Sequence, residues 1–227
     1  MKHFIMVMAI GLGIFSCTHK RHTTIAIDVL LIPSETVYSK SLQLNGFINK
    51  NNPETLKLDK DHVPHITLLQ CFIYEEDLPK VNNALEGLFQ TIAKDSLKAE
   101  RLSYDPSLAM SFAMISVKRS DALVKLHEKT IALLKPYIVK NGSKESFVQN
   151  PDGSPISKST VAYVPVFVDQ HSYQNYDPHI SLGVAQKNVL DSLAKNVFEP
   201  IKFKAQALCV YRLGDHGTAQ KLLWKAE

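Results

Sequence analysis

The stretch "VPHITLLQ", residues 63–70, places a histidine directly ahead of an apolar run. A near copy, "DPHISLGV", occupies residues 177–184. Between PHITL and PHISL four of the five positions are identical, and the fifth keeps a hydroxyl group. Each copy follows a polar loop and opens a predicted strand. The chain therefore repeats one local pattern in two halves.

The spacing within each copy predicts which side chains share a face. Strand side chains alternate, so residues i and i+2 point the same way. His65 and Thr67 then lie on one face, as do His179 and Ser181. A single His-x-Thr in a strand is usually structural, but these polar side chains are poor core fillers because their polar atoms need partners. If the two halves pack about a pseudo-twofold axis, we expect the two faces to meet across a groove.

Two imidazoles and two hydroxyls suit phosphodiester chemistry. In-line displacement at phosphorus needs a base for the entering oxygen and an acid for the leaving oxygen, and histidine, with an ordinary pKa of about 6.5, can serve as either. Hydroxyl groups can donate to the non-bridging oxygens, where charge collects in the transition state. We therefore predict His65 and His179 as the catalytic pair and Thr67 and Ser181 as phosphate-binding residues. This chemistry requires no metal and no cofactor.

Strand-like and helical segments alternate along the chain in two similar rounds. Apolar runs at 24–33 and 65–74 predict strands, and residues 120–138 predict an amphipathic helix. The run 160–168 predicts a strand at a sheet edge, because it contains Pro165. The pattern favours an α+β fold with two related lobes. A doubly wound parallel sheet is the alternative, although no GxGxxG or P-loop glycine pattern occurs.

The first 16 residues have the layout of an export signal. Lys2 precedes an apolar run from Phe4 to Phe15, and the small Ser16 stands before Cys17. This order resembles a bacterial lipobox, in which the signal is cut before the cysteine and the thiol carries lipid. Plain secretion and an uncleaved anchor are the alternatives. We thus expect an exported, membrane-anchored lipoprotein of the periplasm or cell surface, divided into a signal peptide (1–16), a linker (17–23) and a single bilobal domain (24–227).

Composition sets limits on the class of protein. Of the 227 residues, 45% are hydrophobic and 21% charged, with a net charge of +4, which is ordinary for a globular domain. This mild charge tolerates an anionic ligand but is not typical of a nucleic-acid binder. Cys71 and Cys209 lie in strand-like runs and are expected to be buried free thiols. No CxxC spacing and no G-x-S-x-G elbow occurs.

At "PHITLLQCF" and "PHISLGVA" the chain resembles the two-histidine phosphoesterase superfamily, whose members include RNA-ligase-like proteins and 2′,3′-cyclic phosphodiesterases. The closing stretch "VYRLGDHGTAQKLLW" is also similar to the final hairpin of bacterial RNA-ligase-like members. The resemblance implies a bilobal fold with two pseudo-symmetric, mainly antiparallel sheets and flanking helices around a cleft. It implies metal-independent hydrolysis of a cyclic phosphate, or of a related nucleotide or RNA phosphodiester. The alternatives are an envelope lipoprotein that binds a phosphorylated ligand without turnover, and an interaction module.

Aromatic residues near the motifs are candidates for stacking on a nucleobase. Tyr176 lies on the loop that leads into the second motif, and Tyr163 and Phe72 are further candidates. Each could equally serve in packing. We expect the protein to be a monomer.

Three other histidines have weaker functional signals. His62 is three residues from His65, but without carboxylate or cysteine support this spacing is poor for a metal. His127 shares a helical stripe with apolar residues and is expected to be a hydrogen-bonded packing residue. His216 lies in the final turn and is expected to be solvent-exposed.

Overall fold

The computed structural model describes residues 22–227. The predicted signal peptide, the predicted lipid-attachment residue Cys17 and the linker up to residue 21 lie outside the described residues. Within 22–227, no helix combines the length and the apolar character needed to cross a membrane.

Two four-stranded sheets, both wholly antiparallel, form the frame of the described chain. The first contains β1 (Thr24–Pro33), β2 (Ile66–Tyr74), β7 (Ala205–Leu213) and β8 (Ala219–Ala226), in the order β2-β1-β7-β8. The second contains β3 (Leu97–Ser103), β4 (Met110–Val117), β5 (His179–Gln186) and β6 (Ile201–Phe203), in the order β5-β4-β3-β6. The α+β class is confirmed, and the parallel doubly wound alternative is wrong.

Helices flank both sheets. Their bounds are α1 (Glu35–Asn51), α2 (Leu78–Leu85), α3 (Asp121–Leu134), α4 (Lys158–Tyr163), α5 (Phe167–Gln170) and α6 (Lys187–Asn196). The predicted α3 begins after Ser120, whose side chain accepts a hydrogen bond from the Leu123 amide at 3.4 Å. α3 packs on β2 and α1 packs on β5, so a helix supports each strand that carries a motif.

The run 160–168 is helical, so the prediction of an edge strand there is wrong. Its β-branched residues favour a strand locally, but tertiary contacts decide otherwise. The Ser157 hydroxyl caps α4 and donates to the Asp215 carboxylate at 2.7 Å. Thr160 donates to the same carboxylate at 2.6 Å. Pro165 lies in a 3₁₀ segment that follows α4 directly.

The two motifs occupy equivalent positions in the two sheets. In the first sheet Thr67 lies opposite Leu30, and the pairing register shifts by a bulge directly before Leu30. In the second sheet Ser181 lies opposite Met114, and the register shifts directly before Met114. Both β2 and β5 are edge strands, and they contact one another. The sequence repeat therefore corresponds to a structural repeat whose two copies meet.

The apolar residues of both motifs point into the core. Ile66 and Ile180, between the histidine and the hydroxyl residue of each motif, are fully buried. Cys71 and Cys209 are buried and free, which confirms the prediction made from their strand-like surroundings. With its apolar side held in this way, each motif presents its polar side chains on the opposite face.

Candidate active site

The two motif histidines are oriented by the same local contact. His65 Nδ1 lies 2.7 Å from the Val63 carbonyl, and His179 Nδ1 lies 2.8 Å from the Asp177 carbonyl. A carbonyl oxygen can only accept, so Nδ1 carries a hydrogen in both rings. This arrangement leaves each Nε2 as the nitrogen that can exchange a proton with a ligand.

One cleft brings together all four residues predicted from the motifs. It has a volume of about 320 Å³, within the usual range of about 300–1,000 Å³ for ligand pockets. Tyr163, another predicted residue, also lines it. The complete lining is His65, Thr67, Gln70, Phe112, Ser159, Thr160, Tyr163, Phe167, His179, Ser181, His216 and Gly217.

A buried carboxylate, which the sequence analysis missed, lies beneath the first motif. Asp28 of β1 is fully buried, and its Oδ2 accepts from the Thr67 hydroxyl at 2.8 Å and from the Gln70 amide at 2.9 Å. The same oxygen lies 3.5 Å from His65 Nε2. Asp28 Oδ1 has no hydrogen-bond partner within residues 22–227. A lone acidic residue within the apolar run "TIAIDVLLIP" was the available signal, because a buried carboxylate requires partners.

Asp28 affects the pKa of His65 and the direction of the Thr67 hydroxyl hydrogen. Burial lowers the pKa of His65, but the Asp28 carboxylate 3.5 Å from Nε2, together with the Val63 carbonyl, outweighs burial and raises it. The Thr67 hydroxyl uses its single hydrogen on Asp28. To donate to a phosphate as predicted, Thr67 must therefore redirect that hydrogen, and in the present arrangement it offers only lone pairs to the cleft.

Phe72 does not reach the cleft, which corrects its prediction as a base-stacking residue. It is 1% exposed, and its ring packs edge-on against Phe147 with centroids 5.9 Å apart. A Cβ on Gly142 would lie 2.3 Å from the Phe72 ring, so the backbone there fits closely against this side chain. Phe72 is a core residue.

Tyr176 is also buried, and its predicted stacking on a base is wrong for the same reason. Its ring stacks on His127 with centroids 3.9 Å apart. Its hydroxyl donates to the Thr67 carbonyl at 3.0 Å. Since Tyr176 precedes the second motif and Thr67 belongs to the first, this side chain ties the two motifs together.

Two aromatic side chains remain accessible in the cleft. Tyr163 is 39% exposed, and its ring stacks on His171 with ring centroids 4.5 Å apart. Phe112 of β4 is 43% exposed. Phe112 was not predicted from the sequence, although strand alternation with the buried Ala113 was a usable signal.

His127 and His216 have the surroundings predicted for them. His127 is buried, hydrogen-bonds the Leu68 carbonyl through Nδ1 at 2.6 Å and accepts from the Tyr173 amide through Nε2. Burial lowers its pKa. The His216 side chain is 75% exposed at the cleft rim. Within residues 22–227, no group of three or more His, Cys, Asp or Glu side chains is placed to hold a metal ion.

The fold and the cleft define a bilobal α+β protein with two imidazoles at the centre of a pseudo-symmetric site. A family model described as the 2′-5′ RNA ligase superfamily matches residues 49–217, and the chain belongs to this family. The two-histidine phosphoesterase resemblance is thereby confirmed. No curated protein matches the sequence.

The solved structures that match the chain are distant from it in sequence. TT0787 of Thermus thermophilus has a TM-score of 0.51 and 15% identity, over 88% of this chain and 96% of that one. Usb1 of Kluyveromyces marxianus has a TM-score of 0.33 and 9% identity, over 88% of this chain and 95% of that one. At such identities, the likeness to TT0787 concerns the fold alone.

Proposed function

We propose that this protein is a metal-independent phosphodiesterase that opens 2′,3′-cyclic phosphates or related nucleotide and RNA phosphodiesters. The observation that carries the proposal is the pair His65 and His179 in one cleft, each with Nδ1 bound to a carbonyl two residues earlier and Nε2 left for chemistry. Membership of the 2′-5′ RNA ligase superfamily supports a phosphodiester substrate.

The proposed reaction divides two proton transfers between two imidazoles. A neutral histidine takes a proton from water as its oxygen attacks phosphorus. The bond from phosphorus to one ribose oxygen breaks, and a protonated histidine delivers a proton to that oxygen. The Ser181 hydroxyl, on the same face as His179, donates to a non-bridging oxygen as negative charge develops. The reverse sequence forms a phosphodiester bond, so hydrolysis and ligation require the same groups.

The cleft can also hold a nucleoside. Phe112 and Tyr163 both expose ring surface to the pocket that contains the histidines. Aromatic rings stack on any base, which gives affinity with little sequence preference. We therefore propose a single nucleotide or an RNA end as the substrate.

Export and lipid attachment through Cys17 are proposed on the sequence alone. The charged Lys2, the apolar run and the small Ser16 before Cys17 support this assignment. Metabolic labelling with a palmitate analogue tests it. Label in the wild type and none in Cys17→Ser supports lipidation, whereas equal label in both chains rejects it.

A panel of the four 2′,3′-cyclic nucleotides, incubated in EDTA, tests the activity. The proposal expects ring opening of at least one nucleotide, with the product resolved as a 2′- or a 3′-phosphate by chromatography. Tight binding without product over long incubation would instead identify a nucleotide-binding protein. Activity lost in EDTA and restored by a divalent cation would contradict metal-independent catalysis.

A further inference from the structure

The two halves of the site differ at one equivalent position. Asp28 stands two residues before the register shift in β1, and Phe112 stands two residues before the shift in β4. The strand pairings agree, since Asp28 pairs with Gln70 and Phe112 with Val184. The two halves therefore match in strand register but differ in side chain at this position. The first half has the buried carboxylate of Asp28 beneath His65, and the second half has the exposed ring of Phe112.

The two imidazoles therefore differ in the charged groups beside them. In His65 the Nδ1–H donates to a carbonyl, and Nε2 lies 3.5 Å from a carboxylate oxygen of Asp28. A negative charge at this distance favours the positively charged ring, in which Nε2 also carries a hydrogen. His179 has the equivalent carbonyl contact, but the position equivalent to Asp28 is Phe112, which has no charge.

We propose that Asp28 sets the direction of proton transfer in this site by holding His65 as the imidazolium, which makes His65 the general acid and leaves His179 as the general base. This inference rests on the proposed phosphodiesterase function. Asp28 is a positioning residue, because it acts on His65 and Thr67 and has no exposed surface to meet a substrate.

The other groups around His65 do not supply the same effect. Titratable side chains face it from the loop before β2, from α4, from β5 and from the β7–β8 turn: His62, Tyr163, His179 and His216. Of all charged groups, Asp28 alone contributes to the raised pKa of His65. The charge that favours the protonated form of His65 therefore comes from a single carboxylate.

The complete proton balance follows from this assignment. His179 Nε2 accepts a proton from the attacking water, and a new P–O bond forms to that oxygen. The P–O bond to the ribose oxygen breaks, and His65 Nε2–H protonates the departing oxygen. His179 leaves the cycle protonated and His65 neutral, and proton exchange with solvent restores both.

An NMR titration tests the assignment without turnover. In the wild type, the His65 ring should titrate at higher pH than the ordinary imidazole value of about 6.5. Asp28→Asn keeps the shape of the side chain and removes its charge, so the His65 titration should move to lower pH. Asp177→Asn removes an equal charge beside the other motif and should leave His65 unchanged. A wild-type His65 ring that titrates at or below the ordinary imidazole value overturns the proposal, even if Asp28→Asn does not fold.

A leaving-group experiment tests the acid and base roles directly. On a 2′,3′-cyclic nucleotide, His65→Ala and His179→Ala should each lose about 10²–10⁴-fold in kcat. On a p-nitrophenyl phosphodiester, whose leaving group departs as an anion near neutral pH, His65→Ala should lose less than about tenfold, whereas His179→Ala should lose as much as before. The opposite pattern, or equal losses on both substrates, overturns the assignment. A wild type that cleaves neither substrate rejects the proposed function itself, and the titration then still decides the role of Asp28.

Discussion

Phe112 offers a sharp test of substrate binding, because its exposure separates binding from stability. The ring is 43% exposed in the cleft, so Phe112→Ala should change the free energy of unfolding by no more than about 0.5 kcal/mol. If the ring stacks on a base, its loss costs about 1–3 kcal/mol of binding, which corresponds to a rise in KM of roughly 5- to 150-fold.

Phe72→Ala is the matched control. Phe72 is 1% exposed, so truncation should cost about 3–5 kcal/mol of stability and lower Tm by at least roughly 6 °C, with KM unchanged in the folded fraction. The assay is the KM for 2′,3′-cyclic nucleotides beside thermal unfolding, with a cyclic phosphodiester that lacks a base as control substrate. The reasoning is refuted if Phe112→Ala lowers Tm as Phe72→Ala does while leaving KM for the nucleotides unchanged.

Two further predictions concern how the site is held in place. Tyr176→Phe removes the hydroxyl that donates to the Thr67 carbonyl, so it should lower the free energy of unfolding by about 1 kcal/mol in thermal unfolding. It should also reduce kcat more than it raises KM. An unchanged Tm and kcat would contradict this link between the motifs. Burial alone would raise the pKa of Asp215, but hydrogen bonds from Thr160 and Ser157 outweigh it and lower the pKa to about 2. Because the pKa of Asp215 is lowered, its carboxylate stabilises the folded state fully at pH values above the ordinary aspartate pKa of 3.8. This stabilisation is lost as the pH falls through about 2. Asp215→Asn should therefore destabilise by about 1 kcal/mol at pH 7 in denaturant unfolding, with the difference shrinking toward pH 2, and a constant difference would refute the assignment.

The strands that carry the motifs were predictable because their signals are local. "PHITL" and "PHISL" contain both the apolar residue that enters the core and the polar pair that faces away from it, and the structure places Ile66 and Ile180 accordingly. Two copies in one chain further indicated a two-lobed site. These inferences required only strand alternation and the chemistry of the side chains.

The bulge in β2 shows where alternation fails. Simple alternation from Thr67 places Leu69 on the cleft face, but the register shift inserts one residue, so Gln70 lines the cleft instead. Phe72 lies two residues beyond Gln70 on that face, yet Phe147 and other residues of the long connection before α4 cover it. The extent of the cleft depends on this connection, and local periodicity does not show where a loop will pack.

Asp28 and the helical run 160–168 were missed because their partners are distant in sequence. Asp28 meets Thr67 and Gln70 only when β1 and β2 pair. The run 160–168 becomes helical beside Asp215, which belongs to the final hairpin. In both cases a carboxylate that looks ordinary in sequence organises residues from another part of the chain, so tertiary contacts determine the outcome.

The most direct test of the central claim is the rate of cyclic-nucleotide opening, in EDTA, by the wild type and by variants of each motif histidine. His65→Ala and His179→Ala should each remove nearly all turnover, by about 10²-fold or more, while circular dichroism shows that both proteins stay folded. His22→Ala, which removes an imidazole outside the cleft, should keep the wild-type rate. If a variant lacking either motif histidine turned over at the wild-type rate, paired-histidine catalysis would be wrong.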